Sequence, residues 1–323
     1  MLRLFTGSRL AVRGLAAAAS AAEAPVKIDK ESLAKLRKKT GYSYVNCRKA
    51  LVQFGSDLAE AEKWLRQNAE KEGWAKAAKL SSRQTTQGLV GVKAAGKTAA
   101  IVELSCETDF VARGDPFKDL LRTLVDATLQ HAEKTVASSG STLQKQNFDV
   151  ETVKSDDGKT LKEIVAMAVG RLGENISMRR VEAYYAPEGS VLYGGSHPKE
   201  GTDEYPMGRF VSVVAIARAP SAQFPTERLA NQLCQHIIGM RSETLGTPAV
   251  QSKDTKKEEA VDNQDDLNDF FKGQTTNIDA EETQLLRQAF MLNPSQTVYE
   301  YVTGHHAKVL DFARAELGGD SSE

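Results

Sequence analysis

Cysteine is scarce in this chain of 323 residues, which contains only Cys47, Cys106 and Cys234. Three scattered cysteines cannot build a disulfide framework, and they lack the paired spacing of a zinc knuckle. Each lies within an apolar pattern. We therefore expect three small core residues in a protein of a reducing compartment.

Excess charge and long apolar runs are also missing. The formal net charge is -1, which argues against broad, nonspecific binding to nucleic acid. No apolar run approaches the roughly 20 residues of a membrane span. We expect a soluble mature protein that binds neither membranes nor, directly, nucleic acid. The hydrophobic content of 41% is enough for two or three domains with cores of their own.

Motifs for catalysis and for cofactors are absent as well. The sequence has no phosphate-binding loop, dinucleotide fingerprint, zinc-ligand spacing or nucleophile elbow. The pair His305-His306 does not fall at metal-binding spacing with other ligands. Cys106 could be a nucleophile, but it lies on a predicted strand with no evident partner base and is better explained as a core thiol. We therefore expect no metal, no cofactor and no enzymatic activity, and we favour a protein-binding function.

The first 25 residues differ from the rest of the chain. They carry Arg3, Arg9 and Arg13, many alanines and no acidic residue before Glu23. This composition is typical of an amphipathic mitochondrial presequence, and a secretory signal would need a longer apolar core. Residues 1–25 are therefore left out of the fold prediction.

Three short helical patterns between residues 26 and 70 predict a small three-helix module. Thr40-Gly41 ends the first pattern, Ser43 can cap the second, and Gly55 ends it. Asp57 is predicted to cap the third helix. Residues 71–87 read as a helical tail that passes into a linker.

The surface of this module carries two features. Arg37 belongs to a group of basic residues, which in most proteins form only a solvated face. Tyr44 and Val45 lie in the first turn of the second helix, beside its packed face. They are candidates for a hydrophobic contact patch.

The remaining chain predicts an α+β fold. Residues 88–186 show a hairpin, a helix to about residue 138, a polar segment at 139–159 that is a loop or a poorly ordered excursion, a helix at about 161–172 and a strand. Residues 187–318 repeat this order loosely, with a helix at about 226–239, and are interrupted by an acidic insertion at 251–282. We predict two related lobes with antiparallel sheets packed by helices, followed by an acidic tail at 319–323.

The most informative stretch is Val102 to Arg113. Val102, Leu104 and Cys106 alternate with polar residues at the period of a half-buried strand, and a helical pattern starts after Phe110. Side chains at such a junction can project from a rigid scaffold. The alternative is a plain strand end, at which Thr108 or Asp109 caps the helix while Phe110 fills the core.

Several blocks of identities, taken in order, resemble the elongation factor Ts family. They are Thr40-Gly41, Cys47, Lys49-Ala50-Leu51, Lys76-Ala77-Ala78-Lys79, Glu103-Leu104-Ser105-Cys106-Glu107-Thr108-Asp109-Phe110-Val111, Gly173-Glu174-Asn175-Ile176 and Phe290-Met291-Leu292-Asn293-Pro294-Ser295. The resemblance runs from about residue 30 to residue 318. Together with the presequence, it indicates a mitochondrial member of the family.

The resemblance implies a function that the composition does not reveal. The family acts as the guanine-nucleotide exchange factor of elongation factor Tu, the GTPase that carries aminoacyl-tRNA to the ribosome. The implied partner is mitochondrial elongation factor Tu in the matrix, in a 1:1 heterodimer. The block Thr108-Asp109-Phe110-Val111 would bind it, with Asp109 and Phe110 beside the Mg²⁺ site and Phe110 wedged between two helices.

The resemblance also implies contacts away from this block. Arg37, Tyr44 and Val45 fall where the family touches the nucleotide-binding domain of its partner. His197 falls at a family contact histidine, although Pro198 stands where the family has glycine. The acidic insertion occupies the region of a bacterial coiled-coil hairpin but lacks heptads, so we expect no dimerisation through it.

Two rival functions stay open at this point. The three-helix module resembles ubiquitin-associated domains, which suggests a ubiquitin-binding adaptor, although the hydrophobic loop of those domains is missing. The second rival is an enzyme that uses Cys106.

Overall fold

The computed structural model describes residues 29–40, 42, 44–55, 57–135, 140–219, 224–248 and 281–319. The predicted presequence, Gly41, Ser43, nearly all of the acidic insertion and most of the acidic tail lie outside the described residues. The chain divides into two compact units, Met1–Leu65 and Arg66–Glu323. Within the described residues, no helix is long and apolar enough to cross a membrane.

The described chain begins with three helices and continues as a mixture of strands and helices. The helices are α1 Lys30–Thr40, α2 Tyr44–Phe54, α3 Leu58–Leu80, α4 Asp109–Arg113, α5 Asp115–Lys134, α6 Leu161–Leu172, α7 Thr226–Gly239 and α8 Val298–Gly304. The strands are β1 Gln87–Ala95, β2 Thr98–Cys106, β3 Gln144–Asn147, β4 Ile176–Tyr185, β5 Val191–His197, β6 Met207–Gly208, β7 Phe210–Arg218, β8 Ala289–Phe290, β9 Asn293–Thr297 and β10 Ala307–Glu316. The predicted α+β class, with antiparallel sheets and a helical N-terminal region, is confirmed.

The first unit contains the first two predicted helices and the start of the third, which pack around one core. Its core is formed by Leu33, Leu36, Cys47, Ala50, Leu51, Ala61 and Leu65. The carboxylate of Asp57 accepts the backbone N–H groups of Ala59 at 3.0 Å and Glu60 at 3.1 Å, which confirms its N-cap role at α3. The cap satisfies donors that have no partner inside the helix.

The second unit stacks helices and sheets in layers. A five-stranded sheet, in the order β3-β4-β2-β1-β6, packs α5 and α6 on one face through Val102, Leu104 and Leu121. A three-stranded sheet, β10-β7-β5, covers the opposite face, and a second buried cluster between the sheets includes Ile101 and Val213. The helices α7 and α8 close the far side of that second sheet.

This layering corrects the prediction that β2 is half-buried. Glu103 and Ser105 are 1% and 2% exposed, because the second sheet covers the face that the polar residues occupy. Glu103 is tolerated there because its carboxylate accepts the N–H of Gly318 at 2.9 Å and lies 3.7 Å from the Arg180 guanidinium.

The prediction of a loop or a poorly ordered excursion at 139–159 is wrong in part. The described residues of this segment contain β3, which pairs with β4 as the edge of the five-stranded sheet, and Val153 is fully buried in the core. The strand sequence Gln-Lys-Gln-Asn has no apolar alternation, so its periodicity could not reveal it. Polar side chains suit an edge strand because they discourage pairing with other chains.

The segment 71–87 was predicted to be a helical tail and linker, and it is helical as far as Leu80. Gly73 in α3 and Gly170 in α6 permit close packing of the two helices. A Cβ on Gly73 would lie 2.7 Å from the carbonyl oxygen of Ala166. The boundary between the two lobes of 88–318, at residues 186 and 187, stays a prediction. Most strands of the five-stranded sheet precede this boundary, and the strands of the three-stranded sheet follow it.

Candidate partner-binding site

The strand β2 delivers the chain to a short capped helix. β2 pairs with β1 and β4 as far as Cys106, so the backbone is fixed up to that point. Thr108 then adopts an extended conformation as the N-cap of α4, and its hydroxyl oxygen accepts the Val111 N–H at 3.4 Å. The helix α4 has five residues and ends at Gly114, whose extended backbone starts α5 in a new direction.

Phe110 projects from α4 into solvent. Its side chain is 85% exposed, whereas Ala112 in the same helix is 6% exposed and Val111 packs against the core. The alternative in which Phe110 fills the core is therefore wrong, while its other half, a Thr108 cap, is confirmed. Burial of one phenylalanine side chain supplies roughly 1.5–3 kcal/mol. Because Phe110 is exposed in the free protein, its burial against a partner can contribute this free energy to binding.

Asp109 adds a negative charge beside this ring. Its carboxylate lies 3.4 Å from the Arg113 guanidinium, one helical turn further along. The side chains of Asp109 and Arg113 are 49% and 75% exposed, so the pair contributes little to stability. Asp109 is thus accessible together with Phe110.

The turn that follows α6 holds the loop before α4 in place. Glu174 accepts both the N–H and the hydroxyl of Thr108, at 3.0 Å and 2.6 Å. The backbone N–H of Asn175 donates to the Glu107 carboxylate at 2.7 Å, and the Asn175 side chain donates to the Arg83 carbonyl oxygen at 2.7 Å. The site prediction did not include these residues. The only signal was the family block Gly173-Glu174-Asn175-Ile176.

Cys106 is a structural residue of this loop. Its side chain is fully buried, and the thiol donates to the Thr108 carbonyl oxygen at 3.2 Å. Burial, together with the nearby negative charge of Glu174, raises the pKa of the thiol to about 12. A thiol that stays protonated at neutral pH is a poor nucleophile, which argues against a nucleophilic role for Cys106.

The other predicted contact residues are carried by α1, α2 and β5. Arg37 is exposed on α1, and Tyr44 and Val45 are 52% and 58% exposed at the start of α2, all in the first unit. His197 is exposed at the end of β5, opposite Phe210 of β7. The Thr108 cap and the short helix α4 bring Thr108, Asp109, Phe110 and Val111 together. Their common role as contacts with one partner stays a prediction.

The described part of the chain offers no metal centre, because no group of three or more His, Cys, Asp and Glu side chains there could hold an ion.

The most deeply buried histidine, His236, has a structural role. Its Nδ1 accepts the Met291 N–H at 3.1 Å, and its Nε2 lies 3.0 Å from Oε1 of Gln288.

Fold and site together define an α+β protein that exposes the side chains of Phe110 and Asp109 on a turn hydrogen-bonded to Glu174. A family model described as "Elongation factor TS" matches residues 107–319, and one described as "Elongation factor Ts, mitochondrial, N-terminal" matches residues 18–75. The chain belongs to the elongation factor Ts family.

Curated relatives agree with this assignment. Those named "Elongation factor Ts, mitochondrial" include a protein of Caenorhabditis elegans, 52% identical over 300 residues that cover 93% of this chain and 94% of the relative. The protein of Brugia malayi is 52% identical over 296 residues, 91% and 89% of the two chains. That of Mus musculus is 36% identical over 301 residues, 90% and 84% of the two chains. The chain is accordingly assigned to translation elongation in the mitochondrion.

Proposed function

We propose that this protein releases GDP from mitochondrial elongation factor Tu in the matrix, as one partner of a 1:1 complex. The observation that carries the proposal is the 85% exposure of Phe110 on a capped and braced turn, in a chain of the elongation factor Ts family. Asp109 and Phe110 would enter beside the Mg²⁺ and phosphate site, with Thr108 and Val111 as the base of the contact.

The chemistry requires no covalent step. A GTPase holds GDP through backbone amides around the phosphates and through Mg²⁺. An apolar ring that displaces the surrounding helices, with a carboxylate next to the ion, weakens both sets of contacts. The protein is then an exchange factor and not an enzyme in the usual sense. Neither a metal nor a cofactor of its own is needed.

The energetics require more than one contact. A thousandfold loss of GDP affinity corresponds to about 4 kcal/mol of differential binding. Burial of Phe110 supplies about 1.5–3 kcal/mol, so other contacts must supply the rest. We assign these to Arg37, Tyr44 and Val45 in the first unit and to His197 in the second. The coupling is reciprocal, so GDP weakens the complex by the same factor, which permits turnover.

The test is the release of labelled GDP from purified mitochondrial elongation factor Tu, with and without the full-length protein. Acceleration that saturates with protein concentration is expected. Unchanged release rates would refute the proposed function. A heat-denatured sample of the same protein tests whether the acceleration requires the folded state.

A further inference from the structure

The carboxylate of Glu174 binds Thr108 at two points. Its Oε2 accepts the backbone N–H at 3.0 Å, and its Oε1 accepts the hydroxyl at 2.6 Å. A hydroxyl has one proton to donate. Because this proton points to Glu174, the lone pairs of the Thr108 oxygen remain for the Val111 N–H, at 3.4 Å. Glu174 thereby sets the orientation in which Thr108 caps α4.

Glu174 is held in place by the turn that follows α6. Gly173 adopts a left-handed conformation with φ 82°, which ends α6 and is accessible to glycine without strain. The next residue after Glu174, Asn175, donates its N–H to Glu107 at 2.7 Å. Glu174 and Asn175, in the turn after α6, thus bind Thr108 and Glu107, in the loop before α4. This fixes the register between the two segments.

The helix α4 needs this support. It has only five residues, and a helix of this length is not stable alone in water. Its apolar anchors are Val111 and Ala112, while Phe110 contributes no packing because it is 85% exposed. The Thr108 cap and its carboxylate partner are therefore a large part of what holds the Phe110 backbone in a defined position.

We propose that Glu174 is a positioning residue for Phe110: it fixes the Thr108 cap, so that the aromatic side chain meets the partner already oriented. This inference rests on the proposed function, since it concerns the action of Phe110 in nucleotide exchange. Preorganisation matters because ordering a loop during binding costs free energy that would otherwise be used to displace the nucleotide. Glu174 acts through Thr108, and no contact of its own with the partner is required.

The first experiment measures hydrogen exchange of the Val111 and Ala112 amides in the free, full-length protein. Glu174→Ala should accelerate exchange of both amides about tenfold, because hydrogen bonds to a charged group are lost, and Glu174→Gln should have a smaller effect. Thr108→Val should resemble Glu174→Ala. The matched control is Glu300→Gln, since Glu300 accepts the Thr297 N–H and hydroxyl at the start of α8. The control should leave Val111 and Ala112 unchanged.

The second experiment is a double-mutant cycle on GDP release from elongation factor Tu. Glu174→Ala should slow release about tenfold when Phe110 is present and should have little further effect in the Phe110→Ala background. A purely structural role would instead lower the melting temperature and slow release by the same factor in both backgrounds. Glu174→Gln carries the test if Glu174→Ala does not fold.

The outcomes separate the two proposals. Unchanged amide exchange in the Glu174 variants, or equal slowing of GDP release with and without Phe110, would overturn the positioning role. If the wild-type protein does not accelerate GDP release, the proposed function fails. In that case the amide measurement still decides whether Glu174 orders α4.

Discussion

Phe110 and Phe117 would lie on one face of a continuous helix, yet Phe110 is 85% exposed and Phe117 is fully buried. The helix is not continuous, because Gly114 separates α4 from α5 with an extended backbone. This break lets one phenylalanine anchor the core while the other faces solvent.

The two phenylalanines should therefore differ in their effect on stability. Phe117→Ala is expected to lower the free energy of unfolding by about 3–5 kcal/mol, because it removes a buried ring and leaves a cavity. Phe110→Ala should change it by less than about 0.5 kcal/mol. Urea unfolding followed by circular dichroism measures both. A loss at Phe110 as large as that at Phe117 would contradict the exposed position of Phe110.

Cys106 should be chemically inert in the folded protein. Burial raises the pKa of its thiol to about 12, so the reactive thiolate is rare at about pH 8. Iodoacetamide is expected to modify Cys106 only after unfolding, as peptide mass spectrometry can show. Cys106→Ser should leave GDP release nearly intact, because a serine hydroxyl can also donate to the Thr108 carbonyl oxygen. Loss of release without loss of folding would support a catalytic thiol instead.

His236 should make stability depend on pH. Burial lowers the pKa of its imidazole to about 4, from an ordinary value of 6.5. Between these values the unfolded chain binds a proton that the native protein does not, so stability falls as the pH drops from 6.5 towards 4.

At about pH 5 this loss should reach about 2 kcal/mol relative to neutral pH. In His236→Gln, which does not titrate, the decline in the free energy of urea unfolding over this range should be smaller by that amount. An equal decline in the variant and the wild type would show that His236 does not control the pH dependence.

The stability of the protein should be sensitive to the loss of one partner from the buried charged network between the sheets. Glu182 accepts from Arg180 at 3.1 Å and from the Tyr184 hydroxyl at 2.7 Å, and its side chain is 2% exposed. Glu182→Gln should cost about 3–5 kcal/mol of unfolding free energy, because it leaves Arg180 with less compensating charge. The exposed Lys35–Glu31 pair supplies the control, and Glu31→Gln should cost no more than about 0.5 kcal/mol. Similar small effects at both positions would indicate that the buried network contributes little.

Regular amphipathic elements could be predicted closely from the sequence. The helices at 161–172 and 226–239 coincide with α6 and α7, because apolar spacing and terminal residues both marked them. β3 escaped prediction because an edge strand without apolar alternation resembles a loop. The burial of Glu103 escaped because it depends on a second sheet and on Arg180, which only the tertiary fold brings near.

The site could be predicted only in part. The junction and the Thr108 cap follow from local patterns, but the direction of Phe110 does not, since an apolar residue in an apolar pattern normally points inward. The support from Glu174 comes from a residue 66 positions away and depends on the packing of α6 and β4 against β2. Family identities marked both blocks without indicating that they touch each other.

The role of Phe110 is tested by comparing GDP release by the wild-type protein and Phe110→Ala, at saturating concentrations, in stopped-flow measurements on mitochondrial elongation factor Tu. The affinity of each for nucleotide-free elongation factor Tu is measured in parallel. Phe110→Ala is expected to slow release tenfold or more, in line with the about 1.5–3 kcal/mol that burial of one phenylalanine supplies, and to weaken the nucleotide-free complex much less. Release as fast as with the wild type, or equal losses in release and binding, would contradict the role of Phe110 as the element that displaces GDP.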